Sequence, residues 1–264
     1  MRHLPPPRFY LGTHQPSWLP HVAHPLFVSY SRIRNRRRLD RIRALGPWAL
    51  DSGAFSQLDR HGEWTIPAAE YAASITRYHH EIGGLEWAAP QDWPCEPPVT
   101  AKTGLTVEEH QRRTVDSVLQ LRALVPAVRV IPVLQGWTLA SYMRCAQMYA
   151  DAGVDLAAEP LVGVGSMCRR QSSITATVML DQLVNLNGPE APPLRLHAFG
   201  FKLRGLTLAT GTLTSADSMA WSYAGRNEPG CGPSHQSEAN CLPYALRWGQ
   251  DLIDQLADAH ATRR

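Results

Sequence analysis

Two carboxylates stand where chemistry could be done. Asp51 follows the apolar Trp48-Ala49-Leu50 and precedes Ser52-Gly53, so a tight turn begins at its side chain. Asp217 lies within Thr214-Ser215-Ala216-Asp217-Ser218, with Trp221 and Tyr223 close behind. Either one alone reads most simply as an N-cap that opens a helix by accepting its free N–H groups. Brought to one mouth, the two suit glycosidic chemistry. One attacks or stabilises an oxocarbenium-like sugar carbon while the other moves protons on and off the leaving group. Departure of a base from its sugar is a reaction of this kind.

Short apolar runs that alternate with longer amphipathic segments must position these acids. The runs predict strands over Arg8–Gly12, Leu26–Tyr30, Pro47–Leu50, Leu85–Pro90, Val128–Leu134, Asp155–Val162, Leu194–Gly200 and Leu213–Ala216. Helices are expected over Pro67–Ile82, Thr106–Leu124, Leu139–Ala152 and Ser172–Leu186, with a closing helix near Leu242–Ala259. Thr106 and Glu109 have capping-box spacing, and Gly153 is placed to end the third of these helices. Eight βα alternations predict an α/β fold, a single (β/α)₈ TIM barrel spanning residues 1–264 as one domain. Active sites of such barrels form at the C-terminal strand ends. The residues expected there are Thr13-His14, Asp51-Ser52-Gly53, Gln91-Asp92, Gln135-Gly136, Gly163-Val164-Gly165, Lys202 and Asp217-Ser218, with Glu159 inside the sixth run. Acids and carboxamides dominate that list. No Gly-rich phosphate loop follows the first strand, which argues against a dinucleotide fold and a redox cofactor.

The formal net charge of +3 is small, but its distribution is uneven. Arg32, Arg34, Arg36, Arg37, Arg38, Arg41 and Arg43 face a single Asp40 in twelve residues, a cluster suited to phosphate or, equally, to a solvated helix face. No apolar stretch is long enough to span a membrane, and MRHLPPPRFYLG lacks the apolar core of a secretory signal. Five cysteines at irregular spacing make no disulfide framework, and the expectation is a cytoplasmic protein. Cys95, Cys145 and Cys168 have no partner spacing, and Cys145 is expected in the core.

The segment Leu50-Asp51-Ser52-Gly53-Ala54-Phe55-Ser56 resembles the DSGG-[FY]-Q element of tRNA-guanine transglycosylases. Ser215-Ala216-Asp217-Ser218-Met219-Ala220-Trp221 is similar to the family's nucleophile segment, Val133-Leu134-Gln135-Gly136 to its V-Q-G element, and Leu161-Val162-Gly163-Val164-Gly165 to its glycine loop. Together with Pro90-Gln91-Asp92-Trp93 and Ala101-Lys102-Thr103-Gly104-Leu105, the chain looks most like the branch that inserts 7-deazaguanine derivatives into DNA. The resemblance implies that Asp217 is the nucleophile at C1′ and Asp51 the general acid/base. It implies base recognition by Asp92, Gln135, Ser52 and the Leu161–Gly163 loop. Pro160-Leu161 stand where the family has a glycine pair, and Pro160 has no N–H to offer. Phosphate contact is expected from Arg34, Arg36, Arg37 and Arg38. Phe55, Trp93 and Trp137 are candidates to sandwich the base, with core packing as the simpler role of each.

The tRNA enzymes carry a structural zinc in the region corresponding to residues 229–242. Cys231, His235 and Cys241 supply three ligands there, and Glu238 completes a tetrahedron. A metal-free remnant is the alternative. The implied partners are DNA, a free 7-deazaguanine-type base and a helicase- or ATPase-type protein that opens the duplex. Three other readings stand beside this one. The same chemistry could act on RNA; the chain could be an idle nucleic-acid-binding paralogue; or the acids could serve a carbohydrate glycosidase, which leaves Gln135 and the glycine loop without a role.

Overall fold

The computed structural model describes residues 5–167, 174–186, 188, 190–200, 203–209, 211–232 and 235–262. Eight parallel strands form one curled sheet: β1 (Arg8–Thr13), β2 (Leu26–Ser29), β3 (Trp48–Asp51), β4 (Leu85–Ala88), β5 (Val133–Leu134), β6 (Val162–Val164), β7 (Leu196–Ala198) and β8 (Ser215–Ser218). Their spatial order is β4-β3-β2-β1-β8-β7-β6-β5. Among the described residues, one isolated parallel bridge joins Ala88, at the end of β4, to Val130, three residues before β5. There Ala88 N–H donates to Arg129 O at 2.9 Å and Ile131 N–H to Ala88 O at 3.2 Å.

Among the described residues, ten α-helices follow the strands or flank them: α1 (Tyr30–Ile33), α2 (Ala54–His61), α3 (Ala68–Glu81), α4 (Pro97–Thr103), α5 (Val107–Leu124), α6 (Leu139–Asp151), α7 (Ile174–Val184), α8 (Leu203–Leu208), α9 (Ala220–Ala224) and α10 (Leu242–Ala261). Thr106 caps α5 by accepting the Glu109 N–H at 3.1 Å. The Glu109 carboxylate completes no reciprocal box; it pairs with Arg112 and Arg113 on the same helix. Thr138 and Ser141 form the full reciprocal cap on α6. Gly153, at φ 79°, turns the chain after that helix in a conformation disfavoured for any residue with a Cβ.

Side chains alternate across each strand, and two cores result. Leu11, Leu26, Val28, Trp48, Leu50, Leu196 and Ala198 pack outward beneath the helices. Tyr10, Phe27, Ala49, Trp87, Val133 and Leu161 form a second cluster with Phe199 on the concave side. The register places Tyr10 beside Asp217 and Ser29 beside Asp51, so both acids lie on the concave face.

Several expected strands were too long. The fifth shrinks because Pro132 cannot donate to the ladder just before Val133. The sixth begins at Val162, since Leu156 is buried in a turn rather than in the sheet. Glu159 therefore precedes its strand, and at that opposite end it makes a two-pronged ion pair with Arg122, at 2.7 and 2.8 Å. The eighth strand extends to Ser218, which puts Asp217 inside the ladder. Ser172, Cys168 and Lys202, placed by sequence at a helix start, as a free cysteine and at a strand end, lie outside the described residues.

Candidate active site

A cavity of about 220 Å³ opens at the C-terminal ends of the strands. Asp51, Asp92, Glu96 and Asp217 bring four carboxylates to its wall, with Gln135, Gly165, Ser166, Phe27, Phe55 and Phe199 among the other lining residues. No Arg, Lys or His lines it among the described residues.

Neither catalytic candidate is an N-cap. Gly53, at φ 80°, begins α2, and Asp51 Oδ1 accepts the Gly53 N–H at 3.0 Å inside the turn. The α9 N-cap is Met219, and it is Ser218 Oγ that accepts the Ala220 N–H. Both acids are thus left to point into the cavity. Burial, and then the nearby Asp217 charge, push the Asp51 carboxyl up to about 6, while bonds from Gly53 and Ser29 pull it down. Asp217 Oδ1 accepts the Gly200 N–H at 2.9 Å. Among the described residues Oδ2 takes no hydrogen bond, and Asp217 is one of the residues that line the cavity.

Beneath Asp217 sits His197, fully enclosed by Tyr10, Phe27, Trp87 and Phe199 rings whose centroids lie 4.7–6.0 Å away. Its Nδ1 meets Ser215 Oγ at 2.9 Å, and its Nε2 lies 3.3 Å from Asp217 Oδ1. That second approach is within ion-pair range but too poorly aligned to count as a hydrogen bond, so Nε2 is buried without one.

Opposite the acids a polar chain runs through the wall. Gln135 Nε2 donates to Asp92 Oδ2 at 2.5 Å, and Ser52 Oγ donates to Asp92 Oδ1 at 3.3 Å. Ser166 Oγ lies 2.8 Å from Gln135 Oε1 and 2.9 Å from Glu96 Oε2, and its single proton serves one of them at a time. Burial and the Asp51 charge raise the Asp92 carboxyl to about 7, against the lowering effect of Gln135. Gly165 is required here, because a Cβ on it would overlap the Gln135 carboxamide. The wall can therefore present donors and acceptors that change sign with protonation, as recognition of a heterocycle's edge requires.

The structure brings Asp51, Asp92, Gln135 and Asp217 to one cavity. It does not bring Leu161 or Gly163: Leu161 packs in the concave cluster, and Gly163 leaves the space that the Phe199 ring fills. Ser52 supports Asp92 from behind. Phe55 stands at the lip, 37% exposed, whereas Trp93 is buried under Arg113 and Trp137 is away from the cavity. Sequence reasoning missed Phe27, Phe199, Glu96 and Ser166. Phe199 had a signal, two residues beyond His197 on the same strand face; Glu96, between prolines in a loop, had none. Of the four arginines assigned to phosphate, Arg38 is held by Asp40 at 2.7 Å, and the carbonyls of Arg36 and Arg37 hold Arg77. Arg34 lines a second cavity.

Away from this site, the ligand atoms of Cys231, His235, Glu238 and Cys241 lie within 4.8 Å of one another. The two sulfurs are 3.6 Å apart, near the ~3.8 Å expected of a tetrahedron with zinc–sulfur bonds of about 2.3 Å. Glu238 Oε2 is buried without a hydrogen bond, an orphan that a cation would satisfy. The residues fit a metal ion.

Among the described residues, no helix is long and apolar enough to cross a membrane. No curated protein matches the chain. A family model described as DpdA, DeoxyPurine in DNA protein A, matches residues 6–263, and the chain therefore belongs to this family of DNA-modifying, transglycosylase-type enzymes.

Proposed function

We propose that the protein replaces guanine in DNA by a 7-deazaguanine derivative, through two displacements at one sugar carbon. Asp217 attacks C1′ through Oδ2. The C1′–N9 bond breaks as an Asp217–C1′ ester forms, and Asp51 gives a proton to the departing guanine. The incoming base then loses a proton to Asp51 and attacks C1′. The ester breaks, Asp217 recovers its charge, and configuration is retained overall. One group serves as acid and then as base most effectively when its pKa lies near the working pH, and Asp51 at about 6 meets that condition.

The observation that carries this reading is the convergence of Asp51 and Asp217 on a carboxylate-rich cavity whose other wall is the Asp92–Gln135–Ser166 chain. The target nucleotide must leave the stack to reach it, and Phe27, Phe55 and Phe199 supply ring faces. The proposal includes a closed (β/α)₈ barrel, for which the Ala88–Val130 bridge is the support. It also includes a zinc ion on Cys231, His235, Glu238 and Cys241 as a structural clamp between α9 and α10, away from the chemistry.

The test is covalent trapping. Wild-type protein incubated with a guanine-containing oligodeoxynucleotide is expected to give a DNA-linked species on a denaturing gel, and Asp217→Ala none. A linked species in Asp217→Ala would remove this residue as nucleophile.

A further inference from the structure

A second cavity, of about 280 Å³, lies on the other side of the Ser52–Gly53 turn. Arg32, Arg34 and Arg60 line it together with Tyr30, Ser31, Ser56 and Gln57, and among the described residues no carboxylate does so. Arg32 lies in α1 and Arg34 ends that helix, whereas Arg60 comes from the far end of α2, so the tertiary fold adds to the site a charge that the local arginine run does not supply. Arg34 is partly committed, reaching Glu70 at 3.2 Å. Arg32 and Arg60 form no ion pair among the described residues, and both are exposed. Arg32 and Arg226 also both act on His14, whose pKa is lowered by burial and then by these two charges. Positive charge therefore continues along the rim from β2 toward β8.

The two cavities share Gly53 and Ser56. One presents only carboxylates among its charged groups and the other only guanidinium groups. A base-binding floor with a basic pocket one turn away matches a nucleotide, whose phosphate and base are joined through a sugar. We infer that the Arg32–Arg34–Arg60 cavity is a phosphodiester site, holding a backbone phosphate beside the nucleotide whose base enters the acidic cavity. This rests on the base-exchange reading above and adds the anchoring residues to it. Guanidinium forks suit phosphate oxygens, and each phosphate neutralised releases counterions. The uncommitted pair, Arg32 and Arg60, is the part of the site with charge to spare.

Binding of a fluorescein-labelled single-stranded oligodeoxynucleotide, followed by anisotropy across a salt series, tests the inference. The double variant Arg32→Ala/Arg60→Ala is expected to bind about tenfold or more weakly at low salt, with the slope of log K against log salt reduced by about 1 or more. Arg32→Lys/Arg60→Lys should restore most of the slope, because a point charge suffices for counterion release. An unchanged slope in the Ala pair would overturn the phosphate site, as would weakened binding without a change in slope. Exchange of labelled guanine from DNA is measured in parallel. Normal exchange with an unchanged slope defeats this inference alone, whereas no exchange with an altered slope defeats the base-exchange reading and leaves the phosphate site standing.

Discussion

The acidic cavity and the arginine cavity are neighbours built on opposite principles. The first collects Asp51, Asp92, Glu96 and Asp217 behind a partly apolar wall, and withdrawal from water raises two of these carboxyls to about 6 and about 7. The second keeps Arg32 and Arg60 exposed at the rim. On the proposed reading the contrast separates two tasks. Moving protons requires groups that titrate near neutrality, and these arise by burial. Gripping a phosphodiester requires charge that does not titrate, which is best left at the rim.

The largest expected effect is at Asp217. Asp217→Asn should lower guanine exchange by about 10⁴-fold or more while DNA binding persists, since an amide cannot form the ester. Strong residual exchange, measured by release of labelled guanine, would break the division of tasks. Asp51→Asn should cost about 10²–10⁴-fold, the usual worth of a placed acid/base. In the wild type the exchange rate should fall as pH drops through about 6, where Asp51 is no longer free to take the incoming base's proton. A rate profile flat from pH 5 to 8 would remove that role.

Gln135→Ala should come next, with a loss of about 10²-fold in kcat/KM for exchange, because Asp92 then loses its closest partner. Metal removal should act on the fold instead. A chelator, or Cys231→Ser, is expected to lower Tm by several degrees, with the zinc content of purified protein as the direct check.

The smallest effect concerns stability and pH. Asp92 has a folded pKa of about 7, above its unfolded value, so its contribution is fully present below pH ~4 and is lost as pH rises through 7. Asp92→Asn, which never ionises, should therefore raise Tm at pH 8 by about 3 °C, equivalent to roughly 1 kcal/mol, and change it less at pH 5. A lower Tm at pH 8 would show that the Gln135 and Ser52 bonds outweigh the buried charge.

Much of the molecule was legible in the chain. Alternating apolar runs gave the eight βα units, because side-chain period and strand burial are local consequences of the sequence. The ordered motifs around Asp51, Gln135 and Asp217 pointed to the site. Strand ends were less legible: Leu156 reads as strand although it packs in a turn, since burial alone does not distinguish the two. The arginine run was legible as charge but not as a site. Its Arg38 is held by Asp40 and the backbone carbonyls of Arg36 and Arg37 accept from Arg77, while Arg60, further along the chain, joins Arg32 and Arg34.

The sequence by itself determined which residue types stand at the strand ends and how side chains alternate between the two faces, because both follow from backbone periodicity. Only the tertiary structure decided which of those groups share a cavity and how far each is withdrawn from water. Those are properties of distance and enclosure, set by how the strands curl and where the loops fold back. Asp51 illustrates the point: its motif named it, and the walls around it set its pKa near the pH at which it would have to work.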